Sequence, residues 1–429
     1  MLSIFRMELR RSPVLTALPV LIAVDLAVLF GRTRYWVGVW PEASAAAQMV
    51  TLFLGPVLAA IAAWQAGRAS RAQMPESLLA AARPGWQIES ARLAATLTLG
   101  FTAYAVGCLV AAAVSLPDAG PGFLWPSYIL MGANTLILFA AAGHLAGRWS
   151  PSPAFTPVVC ALGGFVVMMG VGQNLGLFVL SGTPDQMLRL QPIAVHFAFA
   201  AALTVLAVTL PRPHAATGRL PRWSPSVVQR LSVVVPAAGA AFALVAIPAA
   251  GEVRIERPAT AVRPLCGKVA GVPSQVCVWP EHRKYLADLV SMAGHVSRIP
   301  QPWIKMPRRM SEYGLMPTSM GDGGFDVTEG HVRTAAIAMS NSVFYTSFPK
   351  CRPPAERRDA WQLAKDRVTL WLEYRAMAED PGVADAGLSM SGVSQAQADA
   401  AAAVRMPESA QRKWTAQQFT VLRTSGCSP

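Results

Sequence analysis

Long apolar segments separated by short polar stretches dominate the first 250 residues of the chain. A bilayer core requires about 20 mostly apolar residues in a helix. Helices are expected for such runs because backbone polar groups in lipid must be satisfied within their own segment. Seven segments are predicted to span a membrane: 13–30, 46–66, 92–116, 126–146, 154–172, 191–210 and 231–250.

The pattern changes after the seventh segment. Helical spacing of apolar residues appears at 280–298, 355–378 and 407–423, and the glycines of 321–324 predict a turn. The sequence therefore predicts an all-α polytopic membrane domain followed by a mostly helical or α+β domain. We divide it into a six-span domain (1–210), a basic loop with a seventh span (211–251) and a C-terminal domain (252–429).

The distribution of charge supports this division. Residues 1–250 contain 15 Arg, no Lys and seven acidic residues, whereas residues 251–429 contain 22 Lys and Arg and 17 acidic residues. The net charge of +13 would suit nucleic-acid binding if basic residues clustered on one surface. Here the arginines instead occupy the short gaps between apolar runs, as orientation signals of membrane proteins do.

The arginines also predict the orientation of the spans, because cytoplasmic loops carry an excess of basic residues. With a cytoplasmic N-terminus, eleven arginines fall in cytoplasmic segments: Arg6, Arg10, Arg11, Arg68, Arg71, Arg83, Arg148, Arg212, Arg219, Arg222 and Arg230. The short loops on the other side contain Arg32, Arg34 and Arg189. Seven spans starting inside end outside, so we expect a bacterial plasma-membrane protein whose C-terminal domain is extracytoplasmic.

The cysteines agree with this topology. Four of the six follow the last span: Cys266, Cys277, Cys351 and Cys427. An even set in an oxidising compartment predicts two disulfides, and sequence proximity favours Cys266–Cys277 with Cys351–Cys427. A zinc site is the alternative, although the close cysteine pairs typical of such sites are missing.

The loop at 64–86, between the second and third spans, carries a short helical pattern. Pro75 suits the first helical position, and Glu76 complements the positive end of the helix dipole. Pro84 and Gly85 would end this helix. We interpret it as a two-turn cytoplasmic helix tethered to two spans; an amphipathic segment lying on the membrane is the alternative.

With this loop, the sequence resembles the actinobacterial ABC-2-type transporter permeases. The resemblance covers about residues 1–210 and depends on the basic start at 5–12, the 64–86 loop and a Gly55-Pro56 turn in the second span. It implies that the loop docks on a separate ATP-binding subunit, that two permease chains form one pathway, and that 174–190 contains re-entrant helices. The implied ATPase-coupling residues are Glu76, Ser77, Leu78, Leu79 and Arg83. The seventh span and the C-terminal domain depart from the six-span pattern.

Three polar residues within predicted spans are candidates for a transport pathway or for contacts within the helix bundle: Asp25, Asn134 and His196. An isolated charge such as Asp25 costs at least about 2.5 kcal/mol in a membrane helix. Asp25 either lines a pathway or pairs with Arg32 or Arg34 near the outer interface. Asn134 and His196 also fit ordinary interhelical hydrogen bonds.

These observations predict the permease subunit of an ATP-binding-cassette exporter that moves an amphipathic or lipid-like cargo. The chain lacks the GxxxxGK[ST] phosphate loop, so we expect no enzyme activity and no cofactor of its own. ATP and Mg²⁺ would be bound by a partner ATPase, and a second permease chain and membrane lipid would be further partners. The alternative is a membrane-anchored extracytoplasmic binding or sensory protein. An enzyme using His282, His295 or His331 is a weaker option, since a solvated helix face explains these residues.

Overall fold

Two compact units make up the chain in the computed structural model. The structure describes residues 2–31, 34–68, 85–150, 152, 154–210, 227–258, 262–299, 303–316, 322–348, 350–351, 353–378, 394–424 and 427–428. The N-terminal unit comprises Met1–Asp118, Gly122–Gly182 and Gln186–Ile255. The C-terminal unit comprises Glu256–Pro429 with two short segments, Ala119–Pro121 and Thr183–Asp185.

The N-terminal unit is helical, and a helix lies at each of the seven predicted spans. Its helices are α1 (Leu2–Arg11), α2 (Pro13–Gly31), α3 (Trp40–Met49), α4 (Thr51–Ala66), α5 (Gly85–Ser115), α6 (Pro126–Trp149), α7 (Thr156–Val167), α8 (Leu190–Thr209) and α9 (Val227–Ala249). A π-helical turn, Met168–Gly172, continues α7.

Four of these helical stretches are long and apolar enough to cross a membrane: Trp40–Ala66, Gly85–Ser115, Pro126–Trp149 and Leu190–Thr209. The pair Ser3–Arg10 and Leu15–Gly31, bent by 66°, makes a fifth if it is counted as one span. Thr156–Gly172 and Val233–Ala249 are shorter apolar helices. Among the described residues, the structure therefore contains several helices compatible with membrane insertion.

Two predicted details of the spans are wrong. Gly55 and Pro56 form no turn, since both lie inside α4, and Val50 between α3 and α4 is itself helical. An apolar environment explains this result, because a helix that continues through Gly-Pro leaves fewer backbone groups unsatisfied than a turn would. The stretch 174–190 contains no re-entrant helix but turns, extended chain and the short strand β1 (Gln186–Leu188). A second short strand, β2 (Arg254–Glu256), follows α9.

Helices α4 and α6 approach each other through small residues. A Cβ atom placed on Gly143 would lie 2.1 Å from the carbonyl oxygen of Ala59, and one on Gly147 would lie 2.3 Å from that of Ala63. Two small residues spaced four apart on each helix therefore allow backbone contact. Such packing is the usual means of joining helices in lipid, where the hydrophobic effect does not draw them together.

The C-terminal unit is an α+β fold. Strands β3 (Leu265–Lys268), β4 (Gln275–Val278), β5 (Arg309–Glu312) and β6 (Gly323–Phe325) form one sheet in that order. The β3–β4 pair is antiparallel, and the β4–β5 and β5–β6 pairs are parallel. The predicted turn at 321–324 is wrong for Gly323 and Gly324, which belong to β6.

Five helices complete this unit: α10 (Leu286–Ser297), α11 (Val332–Ser347), α12 (Arg358–Met377), α13 (Gln395–Val404) and α14 (Glu408–Thr424). The patterns at 280–298, 355–378 and 407–423 correctly predicted α10, α12 and α14, the first two with a preceding 3₁₀ turn. Val276, Phe325, Phe344 and Trp371 lie in one apolar core shared by the sheet and the helices. Burial of such a core is the dominant stabilising term in a water-facing domain.

The cysteine pairs lie at matching positions in two antiparallel strand pairs. Cys266 of β3 faces Cys277 of β4, and their sulfur atoms form a disulfide as predicted. Strands β7 (Lys350–Cys351) and β8 (Cys427–Ser428) pair so that Cys351 lies directly opposite Cys427. The backbone therefore brings together the two cysteines of the second predicted disulfide. Cys108 and Cys160 are free.

Candidate functional site

A buried cluster of charged side chains lies in the N-terminal unit where α1, α5 and α6 meet. Arg92 Nη1 is 3.2 Å from Glu89 Oε1, and Arg92 Nε is 3.4 Å from Glu8 Oε1. His144 Nε2 lies 3.0 Å from Glu89 Oε2, and Arg68 Nη1 lies 3.4 Å from Glu8 Oε2. Apart from Arg68, these side chains are at most 9% exposed. We call these five residues the charge cluster.

The sequence forms this cluster because α5 begins at Gly85, seven residues before the predicted span. Glu89 and Arg92 are thereby placed one helical turn apart on one face of α5. Glu8 comes from α1, which carries charged and apolar residues on different faces. Buried charges need partners of opposite sign, because an unpaired ion in a low-dielectric interior is strongly destabilised.

The charge cluster joins the two ends of the 64–86 loop. Arg68 follows the C-terminus of α4, whereas Glu89 and Arg92 lie in the first two turns of α5. Both ends contact Glu8, directly or through Arg92. The predicted coupling residues Glu76, Ser77, Leu78, Leu79 and Arg83 lie outside the described residues.

Further polar contacts surround the charge cluster. The Gln65 side-chain nitrogen donates to the Ser12 hydroxyl at 2.7 Å, joining the end of α4 to the turn between α1 and α2. Arg148, at the end of α6, donates to the backbone carbonyl oxygens of Ala207 and Leu210. The last carbonyls of α8 are thereby satisfied by a cationic side chain, as helix C-termini favour.

The three candidate pathway residues lie apart from this cluster and are not joined to one another by any hydrogen bond or ion pair between described residues. Asp25 is 1% exposed, and its carboxylate lies against the Gly107 backbone of α5. The alternative in which Asp25 pairs with Arg34 is wrong, because no such ion pair occurs within the described ranges; Arg32 lies outside them. Asn134 is buried in α6.

A second group of buried polar side chains lies in another part of the N-terminal unit. The Gln48 side-chain nitrogen donates to the Leu177 carbonyl at 3.4 Å, and its oxygen accepts from the Val179 N–H at 3.0 Å. The Thr135 hydroxyl donates to the Leu177 carbonyl at 2.7 Å. His196 Nδ1 and Nε2 lie 2.8 and 2.7 Å from the carbonyl oxygens of Pro192 and Leu175. These side chains hold the irregular stretch after α7, whose backbone groups lack helical partners.

The C-terminal unit contains a second set of buried charges. His282 Nδ1 lies 2.6 Å from Glu312 Oε1, and Glu312 Oε2 accepts from the Trp279 N–H at 3.0 Å. Arg257 pairs with Glu281 at 2.8 Å, and its backbone N–H donates to the Asp185 carbonyl. The interpretation of His282 as part of a solvated helix face is wrong, because its side chain is fully buried. It joins the end of the inner strand β5 to the helical turn that follows β4.

Metal binding finds no support in the part of the chain that the structure describes. No group of three or more His, Cys, Asp or Glu side chains there is arranged to hold an ion. The His282–Glu312 pair is a buried contact within the C-terminal unit.

Comparisons with known proteins match the C-terminal unit alone. Residues 276–427 match a family model described as Domain of unknown function (DUF7224). Neither a curated protein nor a solved structure matches the chain. The matched residues lie between β4 and β8, so the family similarity concerns most of the C-terminal unit and not the apolar helices.

Proposed function

We propose that this chain is the permease subunit of an ABC-2-type exporter that moves an amphipathic or lipid-like cargo. A separate ATPase would bind ATP and Mg²⁺ and drive the movement, and a second permease chain would complete the pathway. The observation that carries this proposal is the charge cluster, which fastens both ends of the 64–86 loop to α1.

The charge cluster suits transmission of force because it makes the loop base rigid. If a partner displaced residues 69–84, the movement would act on Arg68 at one end of the loop and on Glu89 and Arg92 at the other. Since Glu8 contacts Arg68 and Arg92, the displacement would move α1 together with α4 and α5. Coupling between distant sites needs such a contiguous set of packed or ion-paired elements.

The proposed topology has seven spans, a cytoplasmic N-terminus and an extracytoplasmic C-terminal domain. This topology is supported by the segments that belong to the C-terminal unit, which include Ala119–Pro121 and Thr183–Asp185. These segments belong to the loops that follow the third and fifth predicted spans. Both loops are assigned by the arginine distribution to the same side as residues 252–429.

Co-purification with an ATPase tests the proposal. The double variant Glu76→Arg/Leu79→Asp introduces a repulsive charge and a polar group into the predicted docking helix. We expect the tagged parent chain, isolated from native membranes, to carry a protein with a GxxxxGK[ST] loop and ATPase activity, and the double variant to lose it at equal membrane abundance.

The matched control is Thr217→Arg/Leu220→Asp, which adds the same two side chains at the same spacing in the other long loop assigned to the cytoplasm. This control should retain the ATPase. If the Glu76→Arg/Leu79→Asp protein also retains it, the 64–86 loop is not the docking element and the exporter proposal fails.

The alternative, a membrane-anchored extracytoplasmic binding or sensory protein, is favoured by one feature, an open groove in the C-terminal unit. Deleting residues 252–429 separates the two proposals. A permease should keep its ATPase partner after the deletion, whereas a sensor should lose its response to ligand.

A further inference from the structure

An open groove of about 910 Å³ lies in the C-terminal unit along β6 and α11. One face of α11 supplies most of its wall, with residues spaced three or four apart from Thr334 to Thr346. At a rise of about 1.5 Å per residue, this face is roughly 18 Å long. The volume falls within the range of about 300–1,000 Å³ that is typical of ligand sites.

Two exposed tyrosines belong to the groove. Tyr313 is 53% exposed, and its ring lies over Gly324, where an added Cβ atom would be 2.3 Å from the ring carbon Cε1. The absence of a side chain at Gly324 therefore lets the ring rest on the strand backbone. Tyr345 is 50% exposed, and Lys365 Nζ lies 5.2 Å from its ring centroid. Exposed aromatic rings held in this way are platforms on which a ligand can stack.

Acceptor atoms dominate the polar lining between the tyrosines. The hydroxyls of Thr334, Ser342 and Thr346 donate to the backbone carbonyls of His331, Ala338 and Ser342. The Asn341 side-chain nitrogen donates to the Ile337 carbonyl at 3.1 Å. The three hydroxyls have committed donors and retain oxygen lone pairs, and Asn341 offers an acceptor oxygen beside its second N–H. Asp322 and Asp326 add carboxylates. A ligand that fits must itself supply many donors.

We propose that this groove binds a linear oligosaccharide of about three or four pyranose units. The C–H face of a pyranose ring stacks on tyrosine, and its hydroxyls donate to the acceptors of the lining. The carboxylates of Asp322 and Asp326 disfavour an anionic ligand, and an acyl chain would cover these carboxylates without pairing them.

A basic peptide is the main competing ligand, and Lys365 argues against it. The ammonium group of Lys365 already occupies the cation–π position at Tyr345. A second cation at that end would be repelled, whereas a sugar hydroxyl can accept a hydrogen bond from Lys365. The groove proposal is independent of the exporter proposal, because its lining residues all belong to the C-terminal unit.

Binding to the full chain in lipid nanodiscs tests the inference, with glycosidic detergents excluded because their sugar headgroups would compete. The probes are maltotetraose, cellotetraose, chitotetraose and, as the cationic competitor, tetralysine. We expect at least one tetrasaccharide to bind in saturation-transfer NMR and titration calorimetry, and tetralysine not to bind.

Three variants make the test specific. Tyr313→Ala and Tyr345→Ala should each weaken tetrasaccharide binding by about tenfold. Asp326→Asn keeps an acceptor oxygen and should weaken sugar binding by less than about tenfold, whereas a site for cations would lose binding. Met406→Ala removes another exposed apolar side chain, outside the groove, and should have no effect.

Folding of each variant is checked by the intact Cys266–Cys277 disulfide and by its melting temperature. Binding of tetralysine in place of the sugars would overturn the inference. The inference would also be overturned if no tetrasaccharide binds to the parent chain. It would be overturned as well if both the Tyr313→Ala and the Tyr345→Ala proteins are folded and still bind sugar as the parent does.

Discussion

The two units of the molecule are stabilised in different ways. In the N-terminal unit, α4 and α6 meet through glycine and alanine, and buried polar side chains form the charge cluster and hold the stretch after α7. In the C-terminal unit, aromatic and aliphatic side chains fill a core between sheet and helices, and cysteines bridge paired strands. The first arrangement suits a medium that is itself apolar, where packing and polar contacts replace the hydrophobic effect. The second suits water in an oxidising compartment.

The 64–86 loop and the groove therefore belong to units that are stabilised by different interactions. A change in the charge cluster should act on helix association, and a change in the core or disulfides should act on an ordinary water-facing fold. Variants that destabilise one unit and spare the other test the contrast. Peptide-resolved hydrogen exchange measures the stability of each unit separately.

The largest effect is expected from Glu89→Ala. This change removes the carboxylate that Arg92 and His144 share, and breaking a buried ion pair typically destabilises a protein by about 3–5 kcal/mol. Hydrogen exchange should rise in α5 and α6 and stay unchanged in α10–α14. Thr98→Ala, an exposed position of the same helix, is the control and should be neutral. An unchanged α5 in Glu89→Ala would refute the structural role of the cluster.

The second effect concerns the disulfides, and it should be confined to the other unit. In the chain-entropy model, loss of Cys266–Cys277 costs about 3 kcal/mol and loss of a Cys351–Cys427 bridge about 4 kcal/mol. Non-reducing peptide mapping should recover a peptide that joins Cys351 to Cys427. Reductant should then speed exchange in β3–β8 and spare α2–α8, and Cys160→Ala should not alter this response. Free thiols at positions 351 and 427 would contradict both the bridge and the extracytoplasmic assignment.

A smaller effect is expected from Gly143→Ala, which places a methyl group against the Ala59 carbonyl and should destabilise the α4–α6 contact by about 3 kcal/mol. Gly163→Ala makes the same change on α7 where no atom lies within 4 Å. Melting of the two proteins in nanodiscs compares them. Equal stability would show that close approach of α4 and α6 is not required.

The smallest effect is expected from Gln48→Leu, at about 1 kcal/mol, the usual size of a buried interhelical hydrogen bond. The change removes the contacts to Leu177 and Val179, so exchange should rise within 173–189 while α5 stays protected. Gln87→Leu, the same substitution at a half-buried site of α5, serves as the control. Increased exchange throughout the N-terminal unit would argue against a local role for Gln48.

The sequence predicted the helices of the apolar segments and the Cys266–Cys277 bridge, because both depend on local properties. Twenty apolar residues in a row require a helix wherever they are placed in lipid. Two cysteines eleven residues apart are readily joined by one hairpin. The apolar faces of α10, α12 and α14 were predicted for a similar reason, since each shows a helical period.

The sequence did not predict the charge cluster, helix α11 or the short strands. The charge cluster depends on residues that are far apart along the chain. Glu89 and His144 lie 55 positions apart, and only folding brings their side chains into a buried contact. Helix α11 buries Ala335, Met339 and Val343 on one face, but its many alanines and serines weaken the apolar period in the sequence. Strands of three or four residues are too short for an alternating pattern. One signal could have found the cluster: Glu and Arg three apart at the start of a long apolar run.

The central claim is that residues 69–84 meet a nucleotide-hydrolysing partner in the cytosol. The most direct measurement incorporates a photoreactive amino acid at Leu79, irradiates native membranes and identifies the adduct by mass spectrometry. We expect an adduct with a protein that carries a GxxxxGK[ST] loop, and no labelling of a Leu79→Cys variant by an impermeant thiol reagent added to intact cells. Labelling from outside, or an adduct with lipid alone, would contradict it.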